Sequence, residues 1–197
     1  MRSLSAENPN GEVRDGFAFY AGHLALDLPA TLRGRLREAP KDLLAAPHDL
    51  ARWLHAAGMS TNLPPVSAQD LAFARALRES AYALALDRIA GTSEAVRARR
   101  TLNRLAAERG AQPELDPRGV LRWSGTVEEL LATLAADAVR LFGSAQATRI
   151  RQCEAETCAR LFLDSSRSGE RRWCSMSSCG NKAKVAEFRR RQRAQKA

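Results

Sequence analysis

Four cysteines constrain this 197-residue chain more than any other feature. Four residues separate Cys153 from Cys158, fifteen residues follow, and Cys174 and Cys179 repeat the four-residue spacing. Each pair can close a local turn, and two such pairs across a short loop suit one tetrahedral ion held by four thiolates. In a cytosolic protein, clustered cysteines favour a metal over disulfides. Two disulfides, or four reduced thiols without a metal, are the alternatives.

The residues around these cysteines predict a small fold that needs a metal. Residues 160–164 indicate a strand, residues 165–170 a turn, residues 171–173 a returning strand and residues 180–195 a helix. This order of knuckle, hairpin and helix resembles a treble-clef finger. Its few apolar residues cannot bury much surface, so we expect one structural zinc ion, which can contribute about 10–16 kcal/mol of binding energy to folding. Four cysteine ligands leave no open position for a catalytic water.

The positive charge of the chain is concentrated in the same region. The net charge is +9, of which residues 149–197 carry 13 Lys/Arg and 5 Asp/Glu, a balance of +8. The other 148 residues therefore carry only +1. Such an asymmetry indicates a polyanionic partner, whereas a basic solubilising tail is the simpler explanation.

The helix predicted after Cys179 carries most of this charge. We expect Val185 and Phe188 to pack against the zinc knuckle, and the remaining faces to contact phosphates or guanine edges. A solvated, frayed helix is the alternative. The candidate nucleic-acid-binding residues are Arg171, Arg172, Asn181, Lys182, Lys184, Arg189, Arg190, Arg191 and Arg193.

Residues 17–143 predict a helical domain. Helix starts are indicated by Ser67 with Asp70 and by Thr126 with Glu129, and helix ends by Gly58, Gly110 and Gly143. Residues 116–119 predict the turn of a small hairpin, and Pro29 is expected to break a helix in residues 24–32. We therefore predict a mainly α protein, with a flexible N-terminus at 1–16, the helical domain at 17–143, a linker at 144–148 and the zinc finger with its hairpin and basic helix at 149–197.

Two motifs resemble known families. Arg172-Trp173-Cys174-Ser175-Met176, followed by Cys179-Gly180-Asn181-Lys182, resembles the CGNR zinc finger, with lysine in place of its arginine. Residues 22–27 and 49–54 resemble the start of the ABATE domain that usually precedes this finger. The resemblance implies a stress-induced transcription regulator, with DNA binding by the finger and sensing by the helical domain. Where that family commonly has Asn-Thr, this chain has Pro29-Ala30-Thr31, a departure that could alter a site there.

The remaining site candidates are few. His23 and Asp27 lie four residues apart and could border a ligand pocket, although a helix-capping or core pair is the other interpretation. No Ser-His-Asp or Cys-His set, P-loop or dinucleotide fingerprint is present, so we expect no enzymatic activity. No apolar run is long enough for a membrane helix and the first residues do not form a secretory signal, so we expect a cytoplasmic protein.

Three functional hypotheses are compatible with these features. The first is a transcription regulator that binds double-stranded DNA, with a helical domain that senses a small-molecule effector or forms a homodimer. The second is an RNA- or ribosome-binding zinc module, which would need aromatic stacking platforms. The third is a ligand-binding helical domain that the finger only tethers.

Overall fold

The computed structural model describes residues 11–194 and is mainly helical. The α-helices are α1 (Leu24–Asp27), α2 (Pro47–Ala56), α3 (Ala68–Ala90), α4 (Val96–Ala106), α5 (Val127–Gly143) and α6 (Asn181–Ala194). Short 3₁₀ turns cover Leu28–Thr31 and Ala145–Arg149, and a π-helical turn covers Met176–Gly180. The predicted fold class, a mainly α chain with small hairpins, is confirmed. No helix within the described range is both long and apolar enough to cross a membrane.

The strands of the described residues form four separate antiparallel hairpins. They are β1 (Glu12–Arg14) with β2 (Phe17–Phe19), β3 (Leu32–Arg33) with β4 (Lys41–Asp42), β5 (Gln112–Leu115) with β6 (Leu121–Ser124), and β7 (Ile150–Gln152) with β8 (Leu161–Leu163). The hairpin predicted around residues 116–119 is β5–β6. The flexible N-terminus predicted for residues 1–16 falls partly outside the described residues, and where it is described β1 pairs with β2.

Local sequence signals explain where the long helices begin. Ser67 accepts a hydrogen bond from the N–H of Asp70, and the Asp70 carboxylate accepts one from the N–H of Ser67, which starts α3. Thr126 and Glu129 make the same reciprocal pair at the start of α5. Each capping box satisfies N–H groups that the first helical turn leaves without partners. Helix α1 gives way to the 3₁₀ turn at Leu28 because Pro29 has no N–H to continue it.

One continuous core joins the helical domain to the finger. Helices α3, α4 and α5 pack on one another, and Trp53 and Leu54 of α2 are fully buried beside them. Ile150 and Phe162 of the finger belong to the same buried cluster. The segment predicted as a linker is instead a 3₁₀ turn with Ala147 buried, because the chain enters the finger without leaving this core.

Two hydrogen bonds reinforce the junction between the domains. The N–H of Leu163 donates to the carbonyl of Ala21 at 2.8 Å. The side chain of Gln152 donates to the hydroxyl of Tyr82 on α3 at 3.1 Å. The finger therefore has a defined orientation on the helical domain.

His23 and Asp27 are buried in this core. His23 is the N-cap of α1, where its Nδ1 accepts a hydrogen bond from the N–H of Ala25 and its Nε2 lies 3.3 Å from Oδ2 of Asp137. Asp27 Oδ1 accepts from the N–H of Ala21 at 2.9 Å. The two residues are 2% and 1% exposed, and neither lines the cavities described below. The structure therefore shows a helix cap and its core neighbour here, which agrees with the capping or core interpretation.

Burial shifts both ionisations toward the neutral form. It raises the pKa of Asp27 to about 7 and lowers the pKa of His23 to about 4. Between pH 4 and pH 6.5 the folded chain thus keeps both side chains neutral, whereas the unfolded chain carries a charged aspartate and a charged histidine.

We expect these two groups to oppose each other in the pH dependence of stability. Folded Asp27 keeps a proton that the unfolded chain loses, so its contribution to the free energy of unfolding falls as pH rises from about 4 to 7. Folded His23 lacks a proton that the unfolded chain binds, so its contribution rises between about pH 4 and 6.5. The Asp27→Asn variant loses the Asp27 contribution and keeps the His23 contribution. The free energy of unfolding of this variant should therefore rise more steeply with pH than that of the wild type. Denaturant unfolding across this range measures the difference, and parallel curves would contradict a neutral buried Asp27.

Candidate metal centre and nucleic-acid interface

The four cysteines come from two turns that face each other. Cys153 follows β7, and a turn closed by the N–H of Cys158 on the carbonyl of Ala155 brings Cys158 back to the start of β8. Cys174 lies just before the π-helical turn and Cys179 lies within it, and the N–H of Gly180 closes this turn on the carbonyl of Ser175 at 3.0 Å. The four sulfur atoms all lie within 4.8 Å of one another.

The sulfur geometry fits zinc. A tetrahedron with Zn–S bonds of about 2.3 Å has sulfur–sulfur edges of about 3.8 Å. The Sγ atoms of Cys158 and Cys174 are 3.9 Å apart, and those of Cys174 and Cys179 are 3.7 Å apart. Both distances are far longer than the bond of about 2.05 Å in a disulfide, and the four cysteines are free thiols. The predicted single structural zinc ion is confirmed, with Cys153, Cys158, Cys174 and Cys179 as the residues that hold it.

The close approach of the thiols makes them share protons. Hydrogen bonds from Cys158 and Cys174 hold the pKa of Cys153 far below its ordinary value. The same hydrogen bonds raise the pKa values of Cys158 and Cys174, because the protons of these two thiols are held by the Cys153 thiolate. Zinc would replace these protons and stabilise all four sulfurs as thiolates. With four protein ligands it would supply folding energy and leave no open coordination position.

The hairpin of the finger differs from the predicted one. Strand β8 covers residues 161–163 as expected, but its partner is β7, which precedes the first cysteine, and residues 171–173 form no strand. The fully buried Asp164 explains this difference. Its carboxylate accepts hydrogen bonds from the N–H groups of Ser166 and Arg171 at 2.9 and 3.0 Å, so the start of the returning segment is held by a side chain. One backbone bond, from the N–H of Glu154 to the carbonyl of Arg172 at 3.0 Å, joins this segment to the first cysteine turn without forming a strand.

Arg171 and Arg172 have structural partners. The guanidinium of Arg171 donates to the carbonyls of Trp173 and Cys174 and stacks over the Phe162 ring at 4.5 Å. Arg172 lies over the Trp173 ring and forms an ion pair with Glu154 at 2.6 Å. Arg171 therefore braces the metal centre instead of joining the basic surface, whereas the Arg172 side chain remains 64% exposed.

Helix α6 exposes the other predicted nucleic-acid-binding residues. Asn181, Lys182, Lys184, Arg189, Arg190, Arg191 and Arg193 are all exposed. Glu187 forms ion pairs with Arg190 and Arg191, and the Arg190 and Arg191 side chains still remain 78% and 74% exposed. The structure therefore places these groups together on one element, with their charged ends in solvent.

The expected packing of α6 on the knuckle is wrong. Val185 and Phe188 are 48% and 63% exposed. The main contact of α6 is with the π-helical turn directly before it, and Arg171 already covers the Phe162 ring. The helix therefore extends from the finger, and the turn between Cys174 and Cys179 sets its direction.

We expect one zinc ion per natively purified chain, and Cys179→Ser should lose it. The binding energy of a structural zinc site, about 10–16 kcal/mol, equals or exceeds the stability of a typical domain, so the finger should unfold without it. Because Ile150 and Phe162 share the main core, the melting temperature of the helical domain should also fall. Metal analysis and circular dichroism measure both effects, with Thr157→Ala as the control beside a ligand. A Cys179→Ser protein that retains stoichiometric zinc would contradict the assignment.

Comparison with known families agrees with this geometry. Residues 22–145 match the ABATE model, described as "Putative stress-induced transcription regulator", and residues 149–192 match the CGNR zinc finger. A search of curated proteins found no match. The first match spans the helical domain and more than half of the chain, and the second spans the four-cysteine finger. The chain therefore belongs to the ABATE family and carries a CGNR zinc finger after its helical domain.

Proposed function

We propose that this protein is a transcription regulator that binds double-stranded DNA through α6. The observation that carries the proposal is the composition of this projecting helix. Residues 181–193 carry six exposed Lys/Arg and one acid, Glu187. A 14-residue helix is about 21 Å long and 10–12 Å wide, which suits a major groove about 12 Å wide.

The chemistry of α6 supports contacts to phosphates and to bases. Arg189 and Arg193 have no ion-pair partner among the described residues, so they can neutralise phosphates without breaking an existing bond. The planar fork of arginine also suits the O6 and N7 atoms of guanine. The role of the zinc finger is then to hold this helix in place, and we propose a binding function and not an enzymatic one.

RNA binding is the second candidate, and one observation favours it. Single-stranded RNA is recognised by stacking on exposed aromatic rings. Phe162 is buried and Trp173 is covered by Arg172, but Phe188 is 63% exposed beside the basic residues. If RNA is the target, Phe188→Ala should reduce its affinity severalfold while leaving duplex DNA affinity unchanged.

For the helical domain we propose a sensing role. A cavity of about 290 Å³ lies between the ends of α3, α4 and α5, where Leu102 and Phe142 provide apolar walls and Asp87 and Arg99 provide polar groups. This mixture suits a small amphipathic effector. Homodimer formation stays a prediction, which sedimentation equilibrium of the full chain would test.

The DNA-binding proposal predicts a specific effect of neutralising α6. Arg189→Gln, Arg190→Gln and Arg193→Gln together should weaken duplex binding by the full-length protein. They should also reduce the slope of log affinity against log salt by about 0.9 for each phosphate that the variant no longer neutralises. Fluorescence anisotropy between about 50 and 200 mM salt measures both effects.

A matched control separates this effect from total charge. Arg97→Gln, Arg100→Gln and Arg104→Gln remove the same charge from the exposed side of α4 and should leave binding nearly unchanged. Equal weakening by both triple variants would contradict the assignment to α6. Wild-type protein that binds neither duplex DNA nor RNA would overturn the proposed function.

A further inference from the structure

A groove of about 330 Å³ runs between the helical domain and the finger. One wall is the β3–β4 hairpin with the segment before it, including Pro29 and Ala30. The other wall is the metal centre with the start of α6. The groove therefore exists only because the two domains pack in this orientation.

The charged residues that line this groove are all positive. They are Arg33, Arg37, Lys41, Arg160 and Lys182, and the lining contains no aspartate or glutamate. Within residues 11–194 none of these five forms an ion pair, and Arg160 instead lies 5.5 Å from the centre of the Tyr20 ring. Two neighbouring arginines do form ion pairs, Arg35 with Glu79 and Arg78 with Asp42.

The metal centre accounts for only part of this charge. Cys158 and Cys179 line the groove, and a zinc ion with four thiolates carries a net charge of about −2. The five positive side chains of the groove therefore leave a surplus of about three positive charges over the negative charge of the metal centre. Like charges gathered without counter-charges repel one another, so this groove favours an anionic occupant with several charges.

The hairpin that supplies three of these cations is held firmly. Arg78 on α3 makes a two-pronged ion pair with Asp42 of β4, at 2.6 and 2.9 Å. Arg35 makes a second such pair with Glu79, at 2.6 and 3.0 Å, and stacks over Tyr82.

The turn within the hairpin places Arg37. Gly34 has a positive φ of 66°, and its carbonyl accepts the N–H of Arg37 at 2.8 Å. A Cβ at this position would lie 2.9 Å from the Arg37 side chain. The backbone therefore directs Arg37 back across the turn, toward the groove that it lines.

The groove is continuous with the basic helix. Lys182 lies in the first turn of α6 and also lines the groove, so a chain of phosphates along α6 would reach the groove at this residue. We propose that the groove binds backbone phosphates of the nucleic acid that α6 contacts, so that the helical domain forms part of the interface. This inference rests on the proposed function.

The test uses the full-length chain and a variant confined to the helical domain. Arg33→Gln, Arg37→Gln and Lys41→Gln together leave the finger and α6 intact. This groove variant should bind a short duplex more weakly than the wild type, with a salt slope smaller by about 1 to 3. Arg33→Lys, Arg37→Lys and Lys41→Arg together keep the charges and should keep the slope. Zinc content and circular dichroism equal to the wild type confirm that each variant is folded.

The outcomes separate this inference from the function on which it rests. If the wild type binds and the α6 variant is weakened, but the groove variant binds like the α4 control, the inference is overturned and the proposed function stands. If the wild type does not bind nucleic acid, the proposed function itself fails. Inorganic pyrophosphate is the probe for a small phosphorylated occupant. The inference would also be overturned by two results together. The wild type would bind pyrophosphate and the groove variant would not, while the groove variant would keep the duplex affinity of the wild type.

Discussion

The bonds from four thiolates to one ion are the interaction on which the rest of this structure depends. Two turns bring the sulfurs within 4.8 Å of one another. The segment after residue 164 forms no strand, and one backbone hydrogen bond, from Glu154 to Arg172, joins it to the first turn. Helix α6 begins directly after the turn that contains Cys179 and keeps Val185 and Phe188 exposed, so it has little core of its own. Because the metal centre fixes the turn that precedes α6, it also fixes where the arginines of α6 point.

The metal centre is in turn supported by the helical domain. Ile150 and Phe162 are buried in the core that α3 and α5 also fill, and β8 bonds to the carbonyl of Ala21. A finger of this size buries little surface by itself, and sharing a larger core adds to the energy that the metal supplies. The same packing fixes the position of the β3–β4 hairpin beside the finger. Charges that lie far apart along the chain therefore share one surface.

The location of paired and unpaired charged side chains indicates an anionic partner better than the net charge does. The first 148 residues carry a net charge of only +1, which by itself indicates no anionic partner. In the structure the carboxylates of Asp42 and Glu79 neutralise Arg78 and Arg35 and anchor the hairpin to α3. Arg33, Arg37 and Lys41 have no such partners within the described range and lie beside Lys182 of the finger. A net charge averages over these two kinds of residue, so it hides the basic groove.

The sequence by itself determined the parts of this protein that depend on short-range chemistry. The spacing within the two cysteine pairs identified the metal ligands, Ser67 and Thr126 marked the starts of α3 and α5, and Pro29 ended the helix before it. Each cap, the proline and the two members of each cysteine pair act on residues a few positions away. Contacts between distant residues were decided only by the tertiary structure. The pairing of β7 with β8, the packing of the finger on the helical domain and the burial of His23 and Asp27 are of this kind. They depend on which surfaces meet in three dimensions, and so does the groove where residues 33–41 meet residue 182.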